Sequence, residues 1–219
     1  MRTIRVTGKG QIRLRPDTTR LTMTLSGLHR EYADTLRRSA EDTETLRDVL
    51  SGFGFERSDL KTLSFGVDPE YESYRDRNND YKQRFAGYRF RHVLKVEFPS
   101  DNDRLGKLLY ALAHSKVEPE FRISYTLRDP EAAKNLLLGK AVADAKEKAA
   151  VLTQAGGVTL GEIQSIDYSW GEIDFEYRPM NGAVAAKYMQ RTDAEAFDMD
   201  VEPDDIEASD TVTVLWEIR

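Results

Sequence analysis

The sequence contains no cysteine, only three histidines and no long apolar run. The absence of cysteine excludes disulfides, thiolate catalysis and cysteine-based metal sites. No segment approaches the roughly 20 consecutive apolar residues that are needed to cross a bilayer. No apolar leader follows Met1, because the chain runs directly into a strand pattern. We therefore expect no membrane span and, for the sequence as written, a cytoplasmic location.

Charge is unevenly distributed along the chain. The net charge is −6, and nine acids with no Lys or Arg lie between Asp193 and Asp210. Outside that segment, the remaining 29 of the 38 acids are outnumbered by 32 basic residues, an excess of three positive charges. A mildly basic body with one acidic segment does not favour long-range attraction to nucleic acid. We predict no nucleic-acid partner.

Segments with a period of two alternate with segments of helical period, which predicts an α+β protein. The predicted order is ββαββαβαββ, with three helices packed on antiparallel-rich sheets. Two alternating segments flank the polar stretch from Arg75 to Asp80. They predict a long β-hairpin whose outer half protrudes beyond the core. We expect a single domain over residues 1–219, built as one body or as two lobes of about 1–99 and 100–219.

The predicted helices have recognisable ends and apolar stripes. The longest helix begins at Asp129-Pro130 and ends at Gly156-Gly157, because an acidic cap, an early proline and paired glycines mark helix termini. Its stripe of mostly small residues suits close packing on a sheet. The residues of that stripe are Leu138, Ala141, Ala145, Ala149 and Leu152. The first helix, Glu31 to Ser51, is expected to bury Leu36, Ala40, Thr43, Leu46 and Leu50.

The Gly8-Lys9-Gly10 motif lies inside the N-terminal alternating segment. A phosphate-binding Walker loop needs its lysine followed by Ser or Thr at a helix N-terminus. Here Gln11 follows, and the strand pattern resumes. We therefore interpret the motif as a glycine bulge or a tight turn that interrupts the strand.

The candidates for catalysis are few. His29, His92 and His114 show no metal-ligand spacing, and no Gly-x-Ser-x-Gly elbow is present. His92 lies between Phe90 and Leu94 on an apolar strand face, which favours a hydrogen-bonded core histidine over a base or a ligand. We predict no catalytic residues, no metal, no cofactor and no enzymatic activity.

The acidic segment could supply oxygen ligands, since Asp198, Asp200 and Glu202 alternate along it. The EF-hand template fails because no glycine supplies its turn. A solvated acidic loop is therefore favoured. Weak cation binding and docking on the basic surface of a neighbouring subunit remain alternatives.

Basic and aromatic residues alternate on the return strand of the hairpin, a combination found in proteins that bind single strands. Strand alternation places Arg89 and Arg91 opposite to Tyr88 and Phe90, which favours solvated arginines over a nucleic-acid surface. Arginines near the hairpin tip could instead meet acidic segments of another subunit. The candidate assembly surface is Tyr71, Tyr74, Arg75, Arg77, Tyr81, Arg84, Asp198, Asp200, Asp204 and Asp205.

Several short motifs occur in a fixed order along the chain. They are Val6-Thr7-Gly8-Lys9-Gly10, Arg15-Pro16-Asp17, Gly54-Phe55 with Asp59-Leu60-Lys61-Thr62, Gly87-Tyr88, and Ala141, Ala145, Lys148 and Ala149 followed by Gly156-Gly157 and Leu160-Gly161. This set of motifs resembles the SIMPL-domain family. The resemblance implies a family whose members are mostly periplasmic or exported, can form large ring-like oligomers and are associated with stress responses. It implies no catalytic residues.

The sequence as a whole predicts a non-catalytic protein that self-associates or binds a protein partner. Long hairpin strands provide exposed edges that oligomerisation can cover. One alternative is a small-ligand or metal-binding module that uses the aromatic stretch Tyr168 to Tyr177 as a pocket wall. A second alternative is a hydrolytic or other enzyme, which requires a cluster of polar residues with shifted pKa values in a pocket.

Overall fold

A computed structural model describes residues 2–76, 78–168, 173, 175–178 and 202–219. The described residues form three helices and eight strands, which confirms the α+β class. Their order follows the predicted one, with the addition of a two-residue strand, β7. The elements are β1 (Arg2–Leu14), β2 (Thr18–His29), α1 (Tyr32–Ser51), β3 (Lys61–Arg75), β4 (Tyr81–Pro99), α2 (Asn102–Ala113), β5 (Glu120–Thr126), α3 (Pro130–Ala155), β6 (Leu160–Asp167), β7 (Glu176–Tyr177) and β8 (Ile206–Ile218).

The chain divides into two compact units, each built from separate stretches of sequence. The first unit comprises Met1–Asp17, Thr126–Tyr177 and Pro203–Arg219. The second comprises Thr18–Tyr125 and Arg178–Glu202. The expectation of one domain over residues 1–219 stays a prediction.

The first unit is a three-stranded sheet, ordered β1-β8-β6, with α3 packed on one face. β1 pairs with β8 in an unbroken antiparallel register from Arg2 to Leu14. The predicted bulge or turn at Gly8-Lys9-Gly10 is therefore wrong. A Cβ atom at Gly8 would lie 2.0 Å from the carbonyl oxygen of Ala141, and one at Gly10 would lie 2.2 Å from that of Leu137. The glycines are needed because the backbone of α3 lies directly against β1.

Polar side chains of α3 cover the outer edge of β1. The backbone N–H of Lys9 donates to Oδ2 of Asp144 at 2.6 Å, and Nζ of Lys140 donates to the carbonyl oxygen of Gln11 at 3.4 Å. An edge strand otherwise presents such groups to other chains. Lys148, bonded to the same carboxylate, together with the Lys9 N–H holds the pKa of Asp144 below its usual value.

The ends of α3 are those that the sequence predicts. The Asp129 carboxylate accepts from the N–H of Ala132 at 2.9 Å, and Gly157 has a φ of 67°. Three stripe residues are fully buried, namely Ala141, Ala145 and Ala149. The prediction is wrong for Leu152, which is exposed, while Leu137 is buried one position before the half-buried Leu138.

The second unit follows the path β2-α1-β3-β4-α2-β5 with the strand order β3-β4-β2-β5. β4 is antiparallel to both β3 and β2. This connectivity and strand order define the ferredoxin-like arrangement. α1 and α2 pack on one face over a core of large apolar side chains. The core includes Leu21, Met23 and Leu25 of β2, Phe90, Leu94 and Val96 of β4, Leu46 and Leu50 of α1, and Leu105, Leu108, Leu109 and Leu112 of α2.

The predicted stripe of α1 is correct in its second half and wrong in its first. Thr35 and Ser39 are buried, whereas Leu36 and Ala40 are exposed. The hydroxyl of Thr35 lies 2.9 Å from the carbonyl oxygen of Glu31. This local bond satisfies the buried polar group, so burial of Thr35 costs little.

The described part of the chain contains no helix that is both long enough and apolar enough to span a membrane.

Candidate interaction site on the hairpin and the α1 groove

The outer half of the β3–β4 hairpin extends past β2, as predicted. β2 pairs with β4 only from Tyr88 onward, so Tyr81 to Gly87 pairs with β3 alone. A register shift between Glu70 and Tyr71 marks where this two-stranded ribbon begins. Asn79, in the predicted turn, has a φ of 67°, a conformation that asparagine tolerates better than most residues.

The strand register separates the predicted assembly residues onto two faces of the ribbon. Tyr71 lies opposite Phe85, and Arg75 lies opposite Tyr81, so these four share one face. Tyr74 lies opposite Lys82 and belongs to the other face together with Arg84. The structure therefore places Tyr71, Arg75 and Tyr81 on one face, where Arg75 contacts Tyr81, and places Tyr74 and Arg84 on the other face.

Four aromatic rings form a continuous row that runs from α1 onto the first face of the ribbon, which we call the aromatic strip: Tyr32, Tyr88, Phe85 and Tyr71. Neighbouring ring centroids are 5.3, 5.2 and 5.8 Å apart in that order, and each pair packs edge to face. This geometry stabilises aromatic pairs beyond simple burial. Tyr71 is nevertheless 55% exposed, and Phe85 is 46% exposed. The strip is thus an ordered apolar surface that faces solvent.

The charged groups of the opposite face are paired within the hairpin. Nε of Arg84 lies 2.5 Å from Glu72, and its guanidinium sits 5.6 Å from the Tyr74 ring centroid. Arg89 makes a bidentate contact with Glu70, and this partner holds the pKa of Glu70 below its usual value. These pairs leave the opposite face with little net charge.

At the hairpin tip, Arg75 has neutral partners. Its guanidinium donates to Oδ1 of Asn79 at 3.1 Å and to the Tyr81 hydroxyl at 2.7 Å. The same guanidinium lies 4.7 Å from the Tyr81 ring centroid. The positive charge of Arg75 is therefore oriented but not neutralised by these contacts.

Two of the four predicted acidic residues lie in the described part of the chain. Asp204 and Asp205 contact Arg13 of β1 at 3.9 and 3.2 Å, and Glu207 contacts the same guanidinium at 3.4 Å. These surface pairs lie in the first unit. Asp198, Asp200 and Arg77 lie outside the described residues. The role of this set in assembly stays a prediction.

A second surface feature of the second unit is a groove between α1 and the edge strand β3, with a volume of about 380 Å³. Phe65 and Leu36 line it and are 48% and 39% exposed, and Ala40, Glu44 and Arg47 line its helix side. His92 lies at the groove, with its ring centroid 5.1 Å from that of Phe65. We refer to this feature as the α1 groove.

Hydrogen bonds determine which nitrogen of His92 carries its proton. The Thr43 hydroxyl donates to the carbonyl oxygen of Ser39 at 2.7 Å, so it accepts from Nδ1 of His92 at 3.2 Å. Nε2 then accepts from the Thr62 hydroxyl at 2.9 Å. Burial, together with the nearby Arg47 guanidinium, lowers the pKa of His92. The imidazole is therefore neutral at neutral pH and bonded at both nitrogens.

The other predicted candidates do not join this site. His114 stacks on Tyr110 at the end of α2, and its Nδ1 lies 2.8 Å from the carbonyl oxygen of Tyr110. Of the aromatic stretch proposed as a pocket wall, Tyr168 packs beside the α3 core and Phe175 is buried. Residues 169–172 and 174 lie outside the described residues. Within the described ranges, no group of three or more His, Asp or Glu side chains is arranged to hold a metal ion.

Sequence reasoning missed the α1 groove, because it assigned Leu36 and Ala40 to the core. The alternation of Leu63 and Phe65 was visible in the sequence, but the exposure of their side chains was not. The nearest sequence signal is the run of apolar Leu63, Phe65 and Val67 on a strand that the hairpin places at an edge.

Comparison with solved structures contributes little. The regulatory subunit of aspartate kinase from Thermus flavus is 10% identical, with coverage of 96% of this chain and 88% of that chain. The TM-score is 0.16, which is too low to carry an argument about fold or function.

Two curated relatives are more informative. The 26 kDa periplasmic immunogenic proteins of Brucella melitensis and Brucella abortus are each 27% identical over 163 residues. The match covers 74% of this chain and 65% of each relative, so the chain aligns with about two thirds of their length. Their name places them in the periplasm, which gives no support to the predicted cytoplasmic location.

A family model agrees with the resemblance seen in the sequence motifs. The model is SIMPL, described as a protein of unknown function (DUF541), and it matches residues 4–216. That range includes every described helix and nearly the whole of β1 and β8, the first and last strands in the sequence. The chain therefore belongs to the SIMPL family.

Proposed function

We propose that the protein acts without catalysis, by self-association through the aromatic strip. The observation that carries the proposal is the exposure of Tyr71 and Phe85 in an ordered row on a protruding ribbon. A two-stranded ribbon is marginally stable in water by itself. Packing of a second copy against the rings would bury them and rigidify the ribbon.

A second copy is the partner that this surface fits best, because one patch can meet itself about a two-fold axis. The rings, not the strand edge, are expected to make the contact. Pro69 has no N–H for a ladder, and Asp68 and Glu70 place acids on the edge strand. Proline and charge on an edge strand both oppose the addition of another strand.

Contacts through rings and contacts through charges differ in their salt dependence. Surface charge pairs weaken as salt increases, whereas burial of apolar surface does not. Association through the aromatic strip should therefore persist from low to moderate salt. If hairpin arginines instead meet acids of another subunit, as the sequence analysis considered, the assembly should dissociate more readily as the salt concentration increases.

The test is the solution mass by light scattering coupled to size exclusion. We expect a discrete oligomer for the natural sequence and a lower mass for the double variant Tyr71→Ser, Phe85→Ser. Tyr74→Ser is the matched control, since it removes a ring from the opposite face of the same ribbon. The proposal is contradicted if the natural sequence is a monomer at both low and moderate salt concentration. It is also contradicted if the control variant loses as much mass as the double variant.

The charge-based alternative has its own test. Reversal of the charges of Arg75, Arg77 and Arg84 together should reduce the assembly mass if those arginines contact acids of a neighbour. An unchanged mass for this triple variant, with a reduced mass for the ring variant, assigns assembly to the rings.

The proposal of no catalysis is supported by His92, whose two nitrogens are both hydrogen-bonded to threonine hydroxyls of the protein itself. A stress-related role stays a prediction from family resemblance. Cell fractionation would decide between the predicted cytoplasmic location and the periplasm named for the relatives.

A further inference from the structure

The first half of β3 lies at the edge of the second unit's sheet. Among the described residues, no strand pairs with its outer side. Its side chains are exposed or half-buried from Lys61 to Asp68, and Leu63 and Phe65 are 53% and 48% exposed. An edge of this kind presents a row of backbone N–H and C=O groups to other strands. Pro69, which has no N–H, follows directly, so we call residues 61–68 the inner edge of β3.

The inner edge carries charges of opposite sign at its two ends. Lys61 and Asp68 make no ion pair among the described residues. Lys61 lies directly opposite Lys95 of β4, and like charges in that position destabilise a strand pair. Arg89 lies opposite Asp68, but its guanidinium is bonded to Glu70. Each end of the inner edge could therefore accept a charged partner on its outer side.

The positions of these charges are symmetric about Phe65. A bulge between Thr62 and Ser64 leaves an extra residue in β3, so two residues there occupy one position of the ladder. Three ladder steps then separate Lys61 from Phe65, and three separate Phe65 from Asp68. Since three is odd, both charges lie on the sheet face opposite to the Phe65 ring.

We propose that the inner edge of β3 pairs antiparallel with the inner edge of a second copy, about a two-fold axis at Phe65. In this register, Phe65 lies opposite the partner's Phe65, and Lys61 lies opposite the partner's Asp68. The two-fold axis repeats the charge pair at the other end of the contact. Opposite charges and aromatic rings in directly opposed positions both stabilise antiparallel strands.

The same register covers exposed apolar surface. The axis is perpendicular to the sheet, so it keeps the α1 helices of both copies on one side of the joined sheet. The two α1 grooves then meet at the pair of Phe65 rings. Leu36 lines the same groove as Phe65 and is 39% exposed, so it faces the added apolar surface.

The charge pattern favours a second copy over an arbitrary strand. By itself, Asp68 opposes the addition of another strand, and only a strand with a base at the matching position compensates it. β6, the outer strand of the first unit's sheet, carries Glu162 and Asp167 but no base, so its self-pairing lacks this complementarity. The inner edge ends before the ribbon, so the contact does not require the aromatic strip. A copy that used both surfaces would join two others.

The absence of cysteine from the chain permits a direct test of the register. Phe65→Cys places two thiols at the axis, where opposed Cα atoms are about 4.5–5.5 Å apart, within reach of a disulfide. Leu63→Cys is the matched control, because Leu63 is as exposed but would lie roughly 13 Å from its counterpart. Under mild oxidation, Phe65→Cys should form cross-linked dimers roughly tenfold faster than Leu63→Cys.

Charge exchange tests the two ends of the contact. Lys61→Asp sets two acids opposite each other at both ends, and Asp68→Lys sets two bases there. Each variant should weaken the dimer roughly tenfold in sedimentation equilibrium, because two cross-strand pairs change sign. The double variant Lys61→Asp, Asp68→Lys should regain the original affinity. Lys107→Asp, on α2, is the control for net charge and should change nothing.

All these variants are made in the Tyr71→Ser, Phe85→Ser chain, which lacks the rings of the aromatic strip. Dimers in that background support the inner edge even if association through the strip fails, and a chain that is monomeric there overturns this proposal alone. Equal cross-linking of the two cysteine variants, or none in either, overturns the register. A double charge variant as weak as the single ones would show that Lys61 and Asp68 do not face each other.

Discussion

The two units join helix to sheet in opposite ways. In the first unit, Gly8 and Gly10 of β1 lie against the backbone of α3, and the buried helix side chains beside them are mostly alanines. In the second unit, leucines of α1 and α2 meet Phe90 and other large side chains of the sheet. In the first unit, helix and strand are close because few side-chain atoms lie between their backbones. In the second unit, large side chains fill the space between the helices and the sheet.

This difference predicts which changes each unit tolerates. A backbone contact cannot yield by a change of rotamer, so added atoms must separate helix from strand. A contact made by leucines has little empty space, so removed atoms leave cavities. The first unit should be sensitive to enlargement and the second to truncation.

The largest expected effect is that of Gly8→Val. Its Cβ would lie 2.0 Å from the carbonyl oxygen of Ala141 and 2.4 Å from the nitrogen of Ala145. We expect a loss of more than about 5 kcal/mol in the free energy of unfolding, at the exceptional end for one substitution. Urea unfolding measures it. Gly139→Ala is the control, since its Cβ would meet no atom within 4 Å, and it should stabilise α3 by up to about 1 kcal/mol.

Leu108→Ala tests the second unit and should have the next largest effect. Leu108 is fully buried in the core under α2. Its truncation should cost about 3 kcal/mol, through lost burial and the cavity left behind. Urea unfolding should show a lower midpoint for Leu108→Ala and little change for Leu136→Ala, a leucine of α3 whose side chain is 48% exposed. Similar losses for both variants would show that burial of Leu108 does not determine the cost of its truncation.

Asp144→Asn tests the polar part of the contact between α3 and β1. Because Lys148 and the Lys9 N–H lower the pKa of Asp144, the folded state disfavours its protonation. The associated stability is present above the unfolded-state pKa and is lost as the pH falls through the folded-state value. The variant should melt earlier than the natural protein at neutral pH and equally at strongly acidic pH. A constant difference across the titration would refute the role of this carboxylate.

His92→Gln should have the smallest effect and concerns the second unit. Since burial and Arg47 lower the pKa of His92, the folded protein binds fewer protons than the unfolded chain. Stability should therefore fall as the pH drops from about 6.5, the usual histidine value, through the folded-state pKa. Glutamine offers a donor and an acceptor to the two threonines but does not titrate. Melting curves between pH 7 and 5 should show a shallower decline for the variant.

The sequence predicted what depends on neighbouring residues. The caps of α3, the turn at Asn79 and the alternation on β4 are local signals, and all three are confirmed. The interpretation of Gly8-Lys9-Gly10 failed because the reason for those glycines is a helix more than 120 residues later in the chain. The prediction that Leu36 is buried was wrong for a similar reason, since its burial depends on which face of α1 meets the sheet.

The candidate sites were predictable only in part. Aromatic density in the hairpin identified Tyr71 and Tyr81 as surface candidates, and the strand register then separated them from Tyr74. The bonds of His92 reach Thr43 and Thr62, which are 49 and 30 residues away in sequence. Sequence periodicity does not identify partners at such separations. The sequence therefore predicted neither the tautomer of His92 nor the α1 groove.

The contacts of Asp144 and Lys140 with the backbone of β1 affect whether the sheet of the first unit can be extended by strands of other chains. A sheet can polymerise into a fibril only if both of its outermost strands accept new neighbours. In the first unit, side chains of α3 cover β1 around Lys9 and Gln11, whereas β6, with exposed Ile163 and Ile166, has no further strand beside it among the described residues. Pairing of β6 with β6 of another copy would leave a β1 strand at each outer edge, so the joined sheet could not be extended along the covered part of β1. The contact of α3 with β1 therefore limits the pairing of this sheet with other chains, in addition to stabilising the fold.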